Sequence, residues 1–215
     1  MRITEVELFT SNLAITKTFY QQVLRLPLVQ ETEERVSFAV GYSTLHFCYQ
    51  PVVNGTYHFA MLLPQNSLGA AHEWVKSRIP ILPFSDTEEI AQFSNWNAQA
   101  FYFHDAQENI LELIVHHDLH NETDEPFSPQ TILGICEIGI TVDDVERECK
   151  NLHERGVPYF SKGPYGPQFA VMGEEDGLLI ISAEGRGWVP TGQPATKEGL
   201  RVVVESNREK MTLQY

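Results

Sequence analysis

The sequence predicts an α+β fold made of one supersecondary unit, β-α-β-β-β, that occurs three times along the chain. Three observations lead to this prediction. Short runs alternate apolar and polar side chains, which indicates half-buried strands. Other runs carry apolar side chains every four residues after a capping residue, which indicates helices. The same order of runs returns three times within 215 residues, and such a repeat defines the architecture of the whole chain.

The first module lies at the start of the chain. Residues 5–9 alternate between polar and apolar side chains, which predicts a strand. Residues 10–12 then supply helix-capping side chains, and Ile15, Phe19 and Val23 follow with the spacing of a helix. Three short runs typical of strands complete the module, at residues 28–30, 36–40 and 44–49.

The second and third modules follow the same order. The second has a strand at 57–63, a helix that begins near residue 67, a short segment at 79–84, and a hairpin formed by 100–104 and 110–116. The third has a strand at 134–142, a helix over about 145–152, and strands at 158–160, 169–172 and 178–182. Each module must bury the apolar face of its sheet, so two modules can close a domain whereas a third needs another partner.

These elements divide the chain into four parts. Residues 1–117 are predicted to form a complete domain of two modules, and residues 118–132 an acidic, proline-bearing linker. Residues 133–190 are predicted to form the third module, and residues 191–215 a C-terminal tail with one strand.

Composition and charge exclude several classes of protein. The 42% hydrophobic content is sufficient for a packed core. With 29 acidic against 15 basic residues the net charge is −14, which argues against nucleic acid or an anionic membrane surface as a partner. Cys48, Cys136 and Cys149 are too few and too scattered for a disulfide framework, so we expect reduced thiols and a cytoplasmic protein.

Four segments resemble proteins of the vicinal oxygen chelate superfamily. The strand at residues 3–8, followed by Phe-Tyr-Gln-Gln-Val-Leu-Arg-Leu at 19–26, resembles the opening of such a protein. The segments at 57–60 and 105–113 resemble the start of its second module and its closing strand. The superfamily includes glyoxalase I, bleomycin-resistance proteins, fosfomycin-modifying transferases, methylmalonyl-CoA epimerase and extradiol dioxygenases.

The resemblance implies that two modules pair into a cup-shaped mixed sheet, with the third left as a half-module. It also implies metal ligands on the first and last strands of each paired module. Those positions hold Glu5, His46, His58 and Glu112 in this sequence. Two imidazoles and two carboxylates suit a divalent Zn, Ni, Co, Mn or Fe ion and leave positions for water or substrate oxygens. The family usually places His or Gln in the first strand, so the order of ligands here is permuted.

A reaction follows from the same resemblance. The expected activity is that of a glyoxalase-like lyase or isomerase that acts on a small molecule through a metal-bound enediolate, with Glu112 or Glu5 moving the proton. Alternate side chains among Phe101, Tyr102 and Phe103 are expected to line the cup and bind the substrate.

Two alternatives stay open at this stage. An Fe(II) dioxygenase of the extradiol kind needs two imidazoles and one carboxylate, although such enzymes place His rather than Glu in the first strand. A protein that resembles the bleomycin-resistance proteins would bind a cationic ligand without chemistry. In that case Trp96, Tyr102 and Trp188 would serve as stacking surfaces.

The third module carries only part of the ligand pattern. Glu137 occupies the ligand position of its first strand, but residues 179–182 offer no carboxylate at the closing position. We therefore expect this module to be structural, either as the contact of a homodimer or packed on the first domain. His116, His117 and His120 fall where a strand meets the acidic linker, and a solvated strand end explains them.

Overall fold

The first module forms the elements that its alternation predicts. The computed structural model describes residues 1–206 and 208–215. The elements of this module are β1 (Arg2–Thr10), α1 (Leu13–Thr18), a π-helical turn (Phe19–Val23), β2 (Leu28–Glu31), β3 (Arg35–Val40) and β4 (Ser43–Tyr49). Asn12 begins the helix, since its side chain accepts a hydrogen bond from the backbone N–H of Ile15 at 3.1 Å. β4 returns parallel to β1.

In the second module the first and last strands are buried on both faces. Its elements are β5 (His58–Leu62), α2 (Leu68–Lys76), β6 (Ile81–Leu82), β7 (Ile90–Phe93), β8 (Ala98–His104) and β9 (Ile110–His116). β5 lies parallel to β9 at the centre of the sheet, and every residue of both strands is buried. One face packs on the helix side, so the other face must also be covered.

The third module is shorter than its sequence predicts. It consists of β10 (Gly134–Val142), α3 (Val145–Glu154), β11 (Phe169–Glu174) and β12 (Gly177–Ala183). The strand predicted at 158–160 is reduced to a single bridge between Tyr159 and Met172. Asp144 caps α3 by accepting a hydrogen bond from the backbone N–H of Arg147 at 3.0 Å.

The C-terminal tail contains two strands, so the prediction of one strand is wrong. The strands β13 (Arg201–Ser206) and β14 (Glu209–Gln214) form an antiparallel hairpin, and β13 pairs with β1. In β14 only Leu213 is buried, because this strand lies at the edge of the sheet. A mostly polar edge strand carries little of the alternation that reveals a strand in sequence.

Strand pairing joins the modules in a different combination from the predicted one. β5 pairs antiparallel with β10, so the second and third modules share one cup. The first module pairs instead with the C-terminal hairpin. The prediction that residues 1–117 form a two-module domain is therefore wrong in its pairing. Alternation shows which face of a strand is buried, but not which other strand occupies its edge. The boundaries at residues 117, 132 and 190 stay a prediction.

The two halves of the sheet meet where β1 approaches β10. Ile3 lies opposite Ile135 at this junction. The Ser43 hydroxyl donates to the carbonyl of Ile3 at 2.6 Å and accepts from the backbone N–H of Ile135 at 2.8 Å. Gly134 lies against Tyr42, whose ring would stand 2.3 Å from an added Cβ, so a larger residue does not fit. The junction makes one continuous sheet with a shared core on its helix side.

Ile138 tests the pairing of the second and third modules. Its side chain is fully buried opposite Phe59. We expect Ile138→Ala to lower the free energy of unfolding by about 2–5 kcal/mol, because a cavity is left in the core. Ile15→Ala is the matched control, since Ile15 is 46% exposed, and should change that free energy by less than about 0.5 kcal/mol. Urea unfolding followed by circular dichroism measures both, and equal effects would contradict the pairing.

Candidate metal centre

One row of side chains crosses four strands of the second and third modules. Glu137 on β10 pairs with Ala60 on β5, Ala60 pairs with Glu112 on β9, and Glu112 pairs with Tyr102 on β8. Directly paired residues of a sheet project to the same face. Because Ala60 has only a methyl group, the two carboxylates can approach each other across it. Both are buried in the cup.

His58 joins this pair of carboxylates from the same face of β5, two residues before Ala60. Its Nδ1 lies 3.2 Å from the carbonyl oxygen of Ile110. A carbonyl only accepts, so Nδ1 must donate the proton and Nε2 keeps its lone pair. Nε2 lies 3.6 Å from a carboxylate oxygen of Glu112. The backbone therefore orients the imidazole in the tautomer that a metal ligand requires.

The three side chains form a group that could hold a divalent cation. One ligand atom from each of His58, Glu112 and Glu137 lies within 4.8 Å of the other two. Oε1 of Glu137 is buried and has no hydrogen-bond partner among the described residues. Neither Glu112 nor Glu137 forms a salt bridge with a Lys or Arg of the described residues. A cation would satisfy the orphaned oxygen and compensate the two buried charges, so the donor set fits a metal.

Burial shifts the pKa values of this group in opposite directions. It raises the pKa of Glu112 well above its usual range, and the neighbouring Glu137 carboxylate raises it further. It lowers the pKa of His58, against the opposing effect of Glu137. The imidazole is therefore neutral near pH 7 and available as a ligand, while Glu112 holds a proton more readily than an exposed glutamate.

His116 is a further imidazole beside this group, which corrects the expectation of a solvated strand end. It is fully buried, and its Nε2 lies 3.9 Å from Oε1 of Glu137. Neither ring nitrogen has a hydrogen-bond partner among the described residues. The indole of Trp96 lies nearly parallel to the imidazole, with the two ring centroids 6.4 Å apart. The signal was present in the sequence, because His116 follows Glu112 by four residues on one strand and so shares its face.

Glu5 and His46 lie on the corresponding face of the first module. Glu5 forms a salt bridge with Arg201 at 2.9 Å, and the Nδ1 of His46 lies 2.8 Å from the Ser37 hydroxyl. Glu7 pairs with Arg35 on the same face. The structure thus brings together two of the four predicted ligands, His58 and Glu112. It adds Glu137, which the sequence alone places in a structural module, because the pairing of modules predicted from sequence is wrong.

A cavity of about 150 Å³ opens onto the metal-ligand candidates. Tyr102 lines it, whereas Phe101 and Phe103 point to the opposite face and pack in the helix-side core. Ile180 lies at the closing position of the third module, where no carboxylate was expected. The other aromatic side chains of its wall are Phe93, Trp96, Phe169 and Trp188.

The loop after β12 covers the cavity with Trp188. Backbone hydrogen bonds hold this loop, from the N–H of Trp188 to Gln193 at 2.8 Å and from the N–H of Ala195 to Arg186 at 2.7 Å. The indole ring of Trp188 lies with its centroid 5.3 Å from the centroid of the His58 imidazole. It packs on Gly139, where an added Cβ would stand 2.9 Å from the ring. The loop thus makes a wall of the cavity that the sheet alone does not provide.

A cup of β-α-β-β-β modules with a buried His/Glu/Glu group facing a small cavity defines a class of proteins that act on small molecules, commonly with a metal. The family model of the Glyoxalase/Bleomycin resistance protein/Dioxygenase superfamily matches residues 2–180. The chain therefore belongs to this superfamily, as the resemblance of its segments implied. No curated protein sequence matches the chain significantly.

Several solved structures are similar to this chain at low sequence identity. A protein provisionally assigned as a dioxygenase, from Bacillus subtilis, is 15% identical with a TM-score of 0.63, and the match covers 92% of this chain and 68% of that one. A lactoylglutathione lyase from Agrobacterium tumefaciens is 22% identical with a TM-score of 0.42, and the match covers 53% of this chain and 92% of that one. A fosfomycin resistance protein from Listeria monocytogenes, in complex with Mn(II) and dihydroxypropylphosphonic acid, is 14% identical with a TM-score of 0.41 over 59% of this chain and 91% of that one.

The helices of the described residues are all too short or too polar to cross a lipid bilayer.

Substitutions distinguish the buried group from the predicted set of four. We expect Glu137→Gln and His58→Ala each to weaken Mn²⁺ binding by more than about a hundredfold, since loss of even an outer-shell partner of a ligand lowers metal affinity about 10–100-fold. Glu5→Gln and His46→Ala are the matched controls and should leave the affinity unchanged. Isothermal titration calorimetry measures all four. Weakened binding in the controls, with unchanged binding in Glu137→Gln, would favour the set predicted from sequence.

Proposed function

We propose that the protein is a metal-dependent enzyme that moves a proton on a small molecule, as glyoxalase-like lyases and isomerases do. The observation that supports this best is the buried group of His58, Glu112 and Glu137 facing a cavity. Membership of the superfamily supports metal-dependent chemistry on small molecules in general, whereas the particular reaction rests on the arrangement of this group.

The proposed ligands are Nε2 of His58 and the carboxylates of Glu112 and Glu137. One nitrogen and several oxygens suit Zn, Ni, Co, Mn or Fe(II) and leave positions for substrate oxygens. A divalent metal supplies Lewis acidity there, which polarises a carbonyl and makes an adjacent C–H more acidic. In this proposal Glu5 and His46 take no part. Glu5 is paired with Arg201, and His46 is hydrogen-bonded to Ser37.

Glu112 is the proposed proton-transfer group. A general base works best when its pKa lies near the operating pH, and burial raises the pKa of Glu112 in that direction. Tyr102 lies beside Glu112 in the cross-strand row, and its phenol can orient the carboxylate. Trp188 and Ile180 give the cavity an apolar wall beside this carboxylate.

An Fe(II) dioxygenase of the extradiol kind is the second candidate, and one observation favours it. His116 places a second imidazole next to Glu137, and two imidazoles with one carboxylate are the ligands of that class.

A cytoplasmic location and a homodimer stay predictions. β10 is paired on both sides within the chain, so we propose that a dimer contact through the third module would use its outer strand or helix.

Isotope exchange tests the proposed reaction. Protein loaded with Zn²⁺, Ni²⁺, Mn²⁺ or Fe²⁺ is incubated in D₂O with 2-hydroxyketones and 2-oxoaldehyde thiohemiacetals, and proton NMR follows the C–H next to the carbonyl. We expect metal-dependent exchange that falls by about 10²–10⁴-fold in Glu112→Gln and is unchanged in the matched control Glu5→Gln. Exchange that survives in Glu112→Gln would contradict the proposed role of Glu112.

An oxygen electrode tests the second candidate on the same preparations. Oxygen uptake with catechols by Fe²⁺-loaded protein, without exchange on any carbonyl substrate, would favour the dioxygenase. Absence of stoichiometric metal in all preparations would overturn both enzyme proposals in favour of a binding protein.

The pH dependence of metal binding follows from Glu112. Its raised pKa means that a proton competes with the cation up to a higher pH than at an exposed glutamate, whose pKa is about 4.3. We therefore expect the affinity for Mn²⁺ to increase as pH rises through this raised pKa and to level off above it. The lowered pKa of His58 adds no dependence above about 6.5. Calorimetric titrations between pH 5 and 8 measure the profile, and a flat one would contradict it.

A further inference from the structure

We infer that the cavity binds a monocyclic aromatic anion, with the ring held by Trp188 and Tyr102 and the anionic group held by Arg186. This inference deepens the proposed function and rests on it, because it names the class of molecule on which the metal centre would act. Three independent features of the cavity carry it: its volume, the chemistry of its wall and the charge of its single cationic side chain.

The volume of the cavity corresponds to one ring. It measures about 150 Å³, and an engineered apolar cavity of about this size binds benzene. The indole of Trp188 packs against the backbone at Gly139 and bounds the cavity on that side. Backbone hydrogen bonds within the covering loop hold this wall in place.

The wall of the cavity favours a flat, apolar ligand. Aromatic rings line it on several sides, including Trp188 on the third module and Tyr102 on the second. Aromatic side chains gain most from another ring in an offset or edge-to-face arrangement.

Arg186 makes the cavity selective for an anion. It is half-buried in the cavity wall, with its guanidinium 3.9 Å above the ring of Phe169. It forms no salt bridge within residues 1–206 and 208–215, although the chain carries 29 acidic residues. By contrast Arg35 on β3 and Arg201 on β13 both pair with glutamates of β1. A half-buried cation without a counter-charge is costly, and burial lowers the pKa of Arg186.

The charges of the site predict a single negative charge on the ligand. His58 is neutral, and the carboxylates of Glu112 and Glu137 balance one divalent cation. Arg186 then leaves one positive charge in the wall. An anionic group on the ligand would complete the balance through charge-assisted hydrogen bonds. Without the metal the two carboxylates would oppose an anion, so we expect the metal to strengthen binding of the ligand.

The test uses benzoate and benzamide, which have nearly the same shape but differ in charge. Zn²⁺-loaded protein is titrated with each by isothermal titration calorimetry. We expect benzoate to bind about tenfold or more tightly than benzamide, the size of effect given by a hydrogen bond to a charged group. Naphthoate, with two fused rings, should bind more weakly than benzoate. Equal affinities for benzoate and benzamide would overturn the inference.

Variants at Arg186 assign the preference to this side chain. Arg186→Gln should remove the preference for benzoate, and Arg186→Lys should retain part of it. Arg78→Gln is the matched control, because the Arg78 guanidinium also lies 3.9 Å above an aromatic ring, that of Trp74, but outside the cavity. Near-ultraviolet circular dichroism checks that each variant folds. An unchanged preference in Arg186→Gln would overturn the role of Arg186.

A double variant separates this inference from the metal proposal. In Glu112→Gln, Glu137→Gln the carboxylate charges and the metal ligands are both removed, and Arg186 remains. We expect this metal-free protein still to prefer benzoate over benzamide, since the cation in the wall is unopposed. If the parent binds no Zn²⁺ but the double variant keeps the preference, only the proposed function fails. If Zn²⁺ binds and neither protein shows the preference, only this inference fails.

Discussion

Two carboxylates buried side by side are the constraint on which the site depends. Glu112 and Glu137 are separated only by Ala60 in one cross-strand row, and no Lys or Arg of the described residues pairs with either. Two like charges in a medium of low dielectric constant cannot both persist without a proton or a cation. The neutral imidazole of His58, oriented by a backbone carbonyl, makes the same point in space attractive to a metal.

The acidic side chains of the first module and those of the cup formed by the second and third modules have different charge partners. In the first module the glutamates of β1 pair with Arg201 from the C-terminal hairpin and with Arg35 from β3. The positive charge is therefore covalently part of the chain. In the cup of the second and third modules the equivalent row contains alanine and tyrosine, which leave the positive charge to be supplied by something bound. This cup thus combines ligand atoms without a Lys or Arg partner among the described residues with a cavity.

The sheet and the loops contribute different parts of the site. The central strands β5, β9 and β10 hold the ligand candidates in register, and such positions are rigid because each strand is paired on both sides. The loop after β12 supplies the wall, with Trp188 over His58 and Arg186 over Phe169. Loops tolerate change more readily than paired strands do. The division fits a family in which one metal-binding frame accommodates many small molecules.

The sequence by itself determined the repeated module, the helix caps and which face of each strand is polar, because these depend on neighbours within about ten residues. It placed His58 and Glu112 in the cup for that reason, and it also marked Glu137 as a first-strand position. Only the tertiary structure decided that β5 pairs with β10 rather than with β1, and with it that Glu137, not Glu5, faces Glu112. Strand edges expose the same backbone N–H and C=O groups in every module, so their partners are selected by the packing of the whole chain. The burial of His116 depends on the same packing, since Trp96 and the third module cover it.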